Sequence, residues 1–184
     1  MVVNMLKSVL HIYLLTTSVS LICGSKPEIL VKTMDDIISD FDYEPYKLVG
    51  EKLLYFGQVE VNWFKANDIC HTMNGYLTSI ENEREMNAIT EYLNINLPNV
   101  HSWWVSGNDL ASEGNFVWAN TGTSMNYSLW SREQPDNYNR GENCVHVCLY
   151  DHGYKMNDWE CRHESNFICE HEKPIAFSVN VLRK

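Results

Sequence analysis

The sequence has no apolar run long enough to span a bilayer. The best candidate, over 9–22, is diluted by His11, Thr16, Thr17 and two serines, and it stops short of the ~20 residues a membrane helix needs. Positive charge is also scarce, with 14 Lys and Arg against 24 Asp and Glu and a formal charge of −10. That balance argues against nucleic acid and anionic lipid as partners. No nucleophile elbow, HExxH helix, P-loop or phosphate-binding glycine loop occurs, so the common hydrolase and nucleotide chemistries lack their residues. Internal repeats are missing too, which removes a repetitive adhesive protein.

What is present begins with a leader. Lys7 stands before the diluted apolar stretch, and Cys23, Gly24 and Ser25 follow it. A basic start, an apolar middle and a small-residue exit read as a secretory signal peptide over 1–24, placing the mature chain outside the cell without membrane insertion. Loss of Lys7 with the leader takes the formal charge from −10 to −11. In that compartment cysteines are disulfide candidates. Cys23 leaves with the leader, and Cys70, Cys144, Cys148, Cys161 and Cys169 remain. Two bridges and one spare thiol is the simplest count. Residues 25–45 are acidic; Ile29, Leu30, Met34, Ile37, Ile38 and Phe41 recur near helical spacing for two or three turns. This reads as a linker or neck, or else as a short oligomerising helix, too short for a convincing coiled coil.

Every tryptophan lies between 63 and 159, which puts the core in the middle and C-terminal parts of the chain. A first strand is expected over 52–61. Asn62 can cap a helix over 63–73 that stops at Asn74-Gly75. Asn82 and Glu85 have capping-box spacing ahead of Met86, Ile89 and Leu93, the apolar face of a second helix. Beyond Pro98, short β-like runs ("HSWWVSG", "GNFVWAN", "CVHVCLY", "NFICEHE") alternate with polar loops. Two early helices and several late strands indicate an α+β fold rather than a parallel α/β sheet.

The loops between 107 and 143 are long, and a stretch of that length usually needs something functional to order it. "REQPDNYNRGENC" supplies Gln134, Asp136, Asn137, Glu142 and Asn143. Asp109 and Glu113 lie upstream; Asn157 and Asp158 follow. With no histidine or thiol dominating the group, many carboxylate and amide oxygens suit Ca²⁺ better than Mg²⁺ or Zn²⁺. A cis Gln134–Pro135 bond is expected, aiming both donors the same way. Asp136 and Glu142 read better as metal ligands in one amide-rich loop than as a glycosidase acid–nucleophile pair.

Taken in order, "WFKANDIC", "GYLTSIENEREMNAI", "WWVSGNDL", "EGNFVW", "QPD", "GENCV", "MND" and "NFICE" give residues 46–172 a close resemblance to the C-type lectin carbohydrate-recognition domain. The chain most resembles the small secreted galactose-type lectins of insects, with residues 173–184 left as a tail. The resemblance implies a C-type lectin-like fold of two helices and antiparallel sheets with long calcium-ordered loops. It implies disulfides Cys70–Cys169 and Cys144–Cys161, and no enzymatic activity. It also implies that Ca²⁺ is held by Gln134, Asp136, Glu142, Asn157 and Asp158, the last through its carbonyl as well. An auxiliary ion would use Asp109, Glu113 and Glu142, with Asn137 and Asn143 standing where acids are usual. In the family, Gln-Pro-Asp goes with galactose-type ligands and Glu-Pro-Asn with mannose-type. Sugar contact would fall to Gln134, Asp136, Glu142 and Asn157, with Tyr138 stacking on the apolar face of galactose or N-acetylgalactosamine. The implied partners are galactose-type glycans on cell or microbial surfaces, in recognition or agglutination within innate immunity. The alternative is a domain of the same fold that binds a protein ligand without sugar.

Some residues keep other readings. Trp104, Trp118, Trp130 and Trp159 are expected in the core. Cys144, His146 and Cys148 share one strand face, but zinc there is a poor reading given the disulfide implied for Cys144. Cys148 is either a buried thiol or a bridge between two subunits, and a homodimer would suit a bivalent lectin. Asn126 begins the single glycosylation sequon.

Overall fold

The computed structural model describes residues 43–151 and 153–171. The expected leader, the neck up to residue 42 and the tail over 173–184 lie outside the described residues. Eight strands and two helices follow in order. They are β1 (Lys47–Val49), β2 (Lys52–Val61), α1 (Trp63–Thr72), β3 (Gly75–Leu77), α2 (Glu83–Asn96), β4 (Ser102–Asn108), β5 (Val117–Trp118), β6 (Cys144–Tyr150), β7 (Gly153–Trp159) and β8 (Ser165–His171).

The helix boundaries follow from their caps. Asn62 Oδ1 accepts from Lys65 N at 2.9 Å and opens α1, and Asn74 closes it with φ 58°, in the left-handed region that asparagine tolerates. At α2, Asn82 Oδ1 accepts from Glu85 N at 3.0 Å. The return arm differs from a standard capping box: Glu85 accepts from the side chain of Asn82 and from the backbone N–H of Glu81. The forward arm of the box is kept, and the return arm is moved one residue back, to Glu81.

One sheet runs in the order β1-β2-β8-β4-β6-β7. β8 pairs antiparallel with β2 along one edge, while β3 and β4 share its other edge. The sheet is antiparallel as expected except for the β4–β8 pairing, which is parallel through Trp103↔Asn166 and Trp104↔Phe167, so it is mixed. β3 and β4 thus run in opposite directions on one edge of β8, and the last strand is inserted between β2 and β4. β1, β3 and β7 were not anticipated, and the strand expected at "GNFVWAN" shortens to Val117–Trp118.

Strict alternation builds two apolar layers. Along β4, Trp103 and Val105 face one side and Trp104 the other; along β8, Ile168 opposes Phe167 and Cys169. Met86, Ile89 and Leu93 of α2 close the first layer, and Trp63, Ala66 and Cys70 of α1 close the second. Each sheet face is thus covered by one helix, as a two-period strand facing a 3.6-period helix requires. Trp103, Trp104 and Trp118 are fully buried, but Trp130 and Trp159 are only half-buried. Both expected disulfides form. Cys70–Cys169 ties α1 to β8, and Cys144–Cys161 ties the start of β6 to the turn after β7, each stabilising by about 2–4 kcal/mol. A part-buried ion cluster ties α2 to the sheet: Lys52 Nζ lies 2.9 Å from Glu170 and 3.2 Å from Glu85.

Candidate functional site

β6 and β7 form the far end of the sheet, in a register that pairs Cys144 with Trp159, Val145 with Asp158 and His146 with Asn157. Adjacent residues on β7 point to opposite faces. Asp158, 1% exposed, turns one carboxylate into the loop before β6: Oδ1 accepts from Asp136 N at 3.1 Å and Oδ2 from Asn137 N at 2.9 Å. A rigid strand thereby clamps the tip of the oxygen-rich loop. Asn137 has φ 43° and turns the chain. Its Oδ1 accepts from Glu142 N at 3.1 Å, and Glu142 Oε2 accepts from Tyr138 N at 3.1 Å. A single 3₁₀ turn over Tyr138–Arg140 closes the loop.

These bonds gather Asp136, Glu142 and Asp158 so that one oxygen of each lies within 4.8 Å of the others. The expected cis bond is present between Gln134 and Pro135. Gln134 Oε1 is buried and has no hydrogen-bond partner. Burial raises the Glu142 carboxyl to about 7; the Tyr138 N–H opposes this, while the neighbouring Asp158 and Asp136 add to it. Asp158 is also raised, by burial first and by Asp136; the N–H groups of Asn137 and Asp136 pull the other way. Three acids are therefore held closer than their charges favour. An all-oxygen donor set with an orphaned amide oxygen and an uncompensated negative centre fits a hard divalent cation, with calcium first.

Asn157 precedes Asp158 on β7, and its amide is fixed. Nδ2 donates to His146 Nε2 at 3.0 Å and to Asp158 O at 2.6 Å, which uses both amide hydrogens and leaves Oδ1 free of them. As the amide stands, its free atom is the oxygen a cation would use. A sugar hydroxyl would need one of the two N–H groups released. Tyr138, 66% exposed, presents its ring on the same loop.

The auxiliary residues behave differently. Among the described residues, the acids that share a centre are Asp136, Glu142 and Asp158, without Asp109 or Glu113. Asp109 is 1% exposed, and its carboxylate accepts from Gly114 N at 2.7 Å and from Asn143 Nδ2 at 2.9 Å. Asparagine at 143 supplies an amide donor where an acid would have needed an ion. Glu113 is exposed. Asn126 is exposed on its loop.

His146, a poor zinc candidate from its spacing, has another role. Both ring nitrogens are in fact engaged, Nδ1 with Ser102 Oγ at 2.8 Å and Nε2 with Asn157. Burial drives the imidazole down to about 3, with the charge of His163 adding to the effect. Its signal was the alternation Cys144, His146, Cys148 on a hairpin whose second strand carries Asn157. Cys148 is a free, half-buried thiol, and burial raises it.

A sheet covered by one helix on each face, two disulfides and a carboxylate-lined loop beside the β6–β7 hairpin together describe a lectin-type carbohydrate-recognition domain. The description "Lectin C-type domain" matches residues 59–171, and the chain belongs to that family, whose domains bind carbohydrate without catalysis and generally bind Ca²⁺. C-type lectin 37Da of Drosophila melanogaster is 31% identical over 148 residues, covering 76% of this chain and 78% of that one. Galactose-specific lectin nattectin of Thalassophryne nattereri is 30% identical over 120 residues, covering 65% and 74%. Among solved structures, the mouse scavenger receptor C-type lectin carbohydrate-recognition domain superposes with a TM-score of 0.63 at 26% identity, over 71% of this chain and 98% of that one. No helix among the described residues is long and apolar enough to cross a membrane.

Proposed function

We propose that this chain is a secreted, calcium-dependent lectin that recognises terminal galactose or N-acetylgalactosamine. The observation that carries the reading is the convergence of Asp136, Glu142 and Asp158 within 4.8 Å, together with the unpartnered buried oxygen of Gln134, two residues before Asp136. Gln134, Asp136, Glu142, Asn157 and Asp158 hold one ion. When bound, calcium supplies coordination positions that two vicinal sugar hydroxyls complete. The chain's own residues then set the preference. Gln134 offers an amide that donates and accepts, and Asp136 a carboxylate that only accepts. Tyr138 covers the apolar C–H face that galactose exposes. The galactose specificity named for nattectin, a 30%-identical relative, supports the choice of sugar. The basic and apolar leader pattern supports secretion.

The hydrogen bond from Asn143 to Asp109 favours one ion per chain over two. Cys148 serves as the bridge of a homodimer, and Asn126 as the glycan acceptor. The physiological setting that fits is recognition or agglutination of glycan-bearing cells in innate immunity.

Retention on immobilised galactose in calcium, with release by a chelator, tests the reading. Asp136→Ala should abolish retention while leaving the fold intact by circular dichroism. Retention unchanged by the chelator refutes calcium dependence. Calcium binding with no retention on any glycan array refutes sugar recognition and returns the chain to a protein-binding role. Non-reducing electrophoresis with and without Cys148→Ser tests the bridge.

A further inference from the structure

We propose that His146 is a positioning residue for the binding site: a neutral imidazole, buried under the sheet edge, that fixes the side-chain amide of Asn157 with its oxygen turned toward the ligand. The proposal rests on the calcium-lectin reading for its consequence, but on hydrogen-bond geometry for its substance.

The geometry determines which atom carries each proton. Rotating the Asn157 amide by half a turn would put Oδ1 2.6 Å from Asp158 O, two acceptors face to face, so the nitrogen must occupy that position. An amide nitrogen only donates. His146 Nε2, 3.0 Å away, is therefore the acceptor, and the ring proton sits on Nδ1. Nδ1–H donates to Ser102 Oγ at 2.8 Å, and Ser102 Oγ pairs with Ser165 Oγ at 2.8 Å. Three strands thus contribute to one chain of bonds: Ser165 from β8, Ser102 from β4 and His146 from β6. It ends on Asn157 of β7. The ring plane is fixed as well. Trp159 lies against it at 4.6 Å and 30°, and Trp104 at 5.7 Å. With 6% exposure, the imidazole has no solvent alternative for either nitrogen.

Asn157 has two inward anchors, and they are not equivalent. Asp158 O is itself an expected ion ligand. His146 Nε2 is the anchor an ion has no claim on, because it faces the sheet interior. It keeps the amide nitrogen inward, whatever happens at the Asp158 carbonyl. A supporting partner of this kind acts on affinity by orienting a ligand that it does not replace.

The test uses the full mature chain as wild type, His146→Leu, His146→Gln, Asn157→Ala and the His146→Leu/Asn157→Ala double variant. Calcium affinity is measured by calorimetry, and the Asn157 side-chain NH₂ resonances by NMR in calcium-free buffer. In the wild type, one amide proton should be shifted downfield and slow to exchange. His146→Leu should lose that signature and weaken calcium about tenfold or more. His146→Gln should recover most of the affinity, because its Oε1 can accept the same bond. The double variant should bind calcium no more weakly than Asn157→Ala alone. Unchanged Asn157 resonances in His146→Leu, or losses that simply add in the double variant, would overturn the proposal in favour of a packing role. A wild type that binds no calcium would overturn the lectin reading instead, while the NMR comparison still decides what His146 holds.

Discussion

Calcium should invert the pH dependence of this domain's stability, and Glu142 sets the window. Its carboxyl rises from an ordinary 4.5 to about 7 in the folded chain, and Asp158 moves in the same direction. Between those limits the folded chain holds more protons than the unfolded one. The stability this group contributes without calcium is therefore fully present below about pH 4.5 and lost as pH rises through about 7. Calcium needs the deprotonated carboxylates, so its stabilising effect grows in the opposite direction. At pH 8, free calcium at a hundred times Kd stabilises by about 2.7 kcal/mol, or about 10 °C in Tm for a domain of this size. At pH 5.5 a proton must first be displaced, which weakens apparent affinity by at most ~30-fold. Solvent around the half-buried carboxylate makes the real factor smaller. At that ceiling the same calcium gives only about 3 °C. Scanning calorimetry at pH 5.5 and 8, with calcium or chelator, measures all four corners. Glu142→Gln isolates the group, because its chelator curve should lose the fall across this window. Equal calcium shifts at both pH values, or a chelator curve unaffected by Glu142→Gln, would refute the reasoning.

Three further outcomes follow from individual contacts. Asn143→Asp replaces the amide that donates to Asp109 with a second acid; calorimetry should show calcium stoichiometry rising from one toward two, with a less stable loop in chelator. Gly57→Ala would bring a Cβ within 2.3 Å of the Phe167 ring across the β2–β8 pair, so chemical denaturation should show a loss of about 1–3 kcal/mol. Lys52→Met leaves Glu170 and Glu85 without their cation and should cost about 3 kcal/mol, whereas exposed Arg84→Met, opposite Glu51, should cost well under 1 kcal/mol.

The elements that could be read from the sequence were those with local causes. Asn62 and Asn82 announce helices because a cap is a bond between residues three apart. Cys144–Tyr150 was legible as a strand because its alternation is internal to it. The parts that escaped depend on distant partners. β3 is three residues long and exists because Cys169–His171 offers it an edge. The parallel β4–β8 pairing depends on where the last strand is inserted, which no local pattern encodes. The ligand set came through the family motifs, and the structure adds what holds it in place. Asp158 clamps the loop before β6 from its strand, and Asn143 donates a hydrogen bond to Asp109 where an acid would repel it. Zinc at His146 is only a poor reading from the sequence, and the residue's partner, Asn157, emerges only once the cross-strand register is known.

That register also explains why an oxygen-rich loop is tolerated at all. A flexible loop carrying Asp136, Asn137 and Glu142 would spread to separate its charges. Here β7 contributes two adjacent residues with opposite assignments. Asp158, on one face, takes two loop N–H groups; Asn157, on the other, donates to His146. The first brings the loop to the strand, and the second ties that strand's donor into the sheet interior, where Trp104 and Trp159 fix the ring that receives it. Negative charge is thus concentrated by neutral hydrogen bonds, and among the described residues no Lys or Arg forms an ion pair with Asp136, Glu142 or Asp158. A lysine there would have stabilised the folded chain more cheaply and destroyed the affinity for a cation. The unpartnered Gln134 oxygen and the raised Glu142 carboxyl are the strain that remains when that cancellation is left to a ligand.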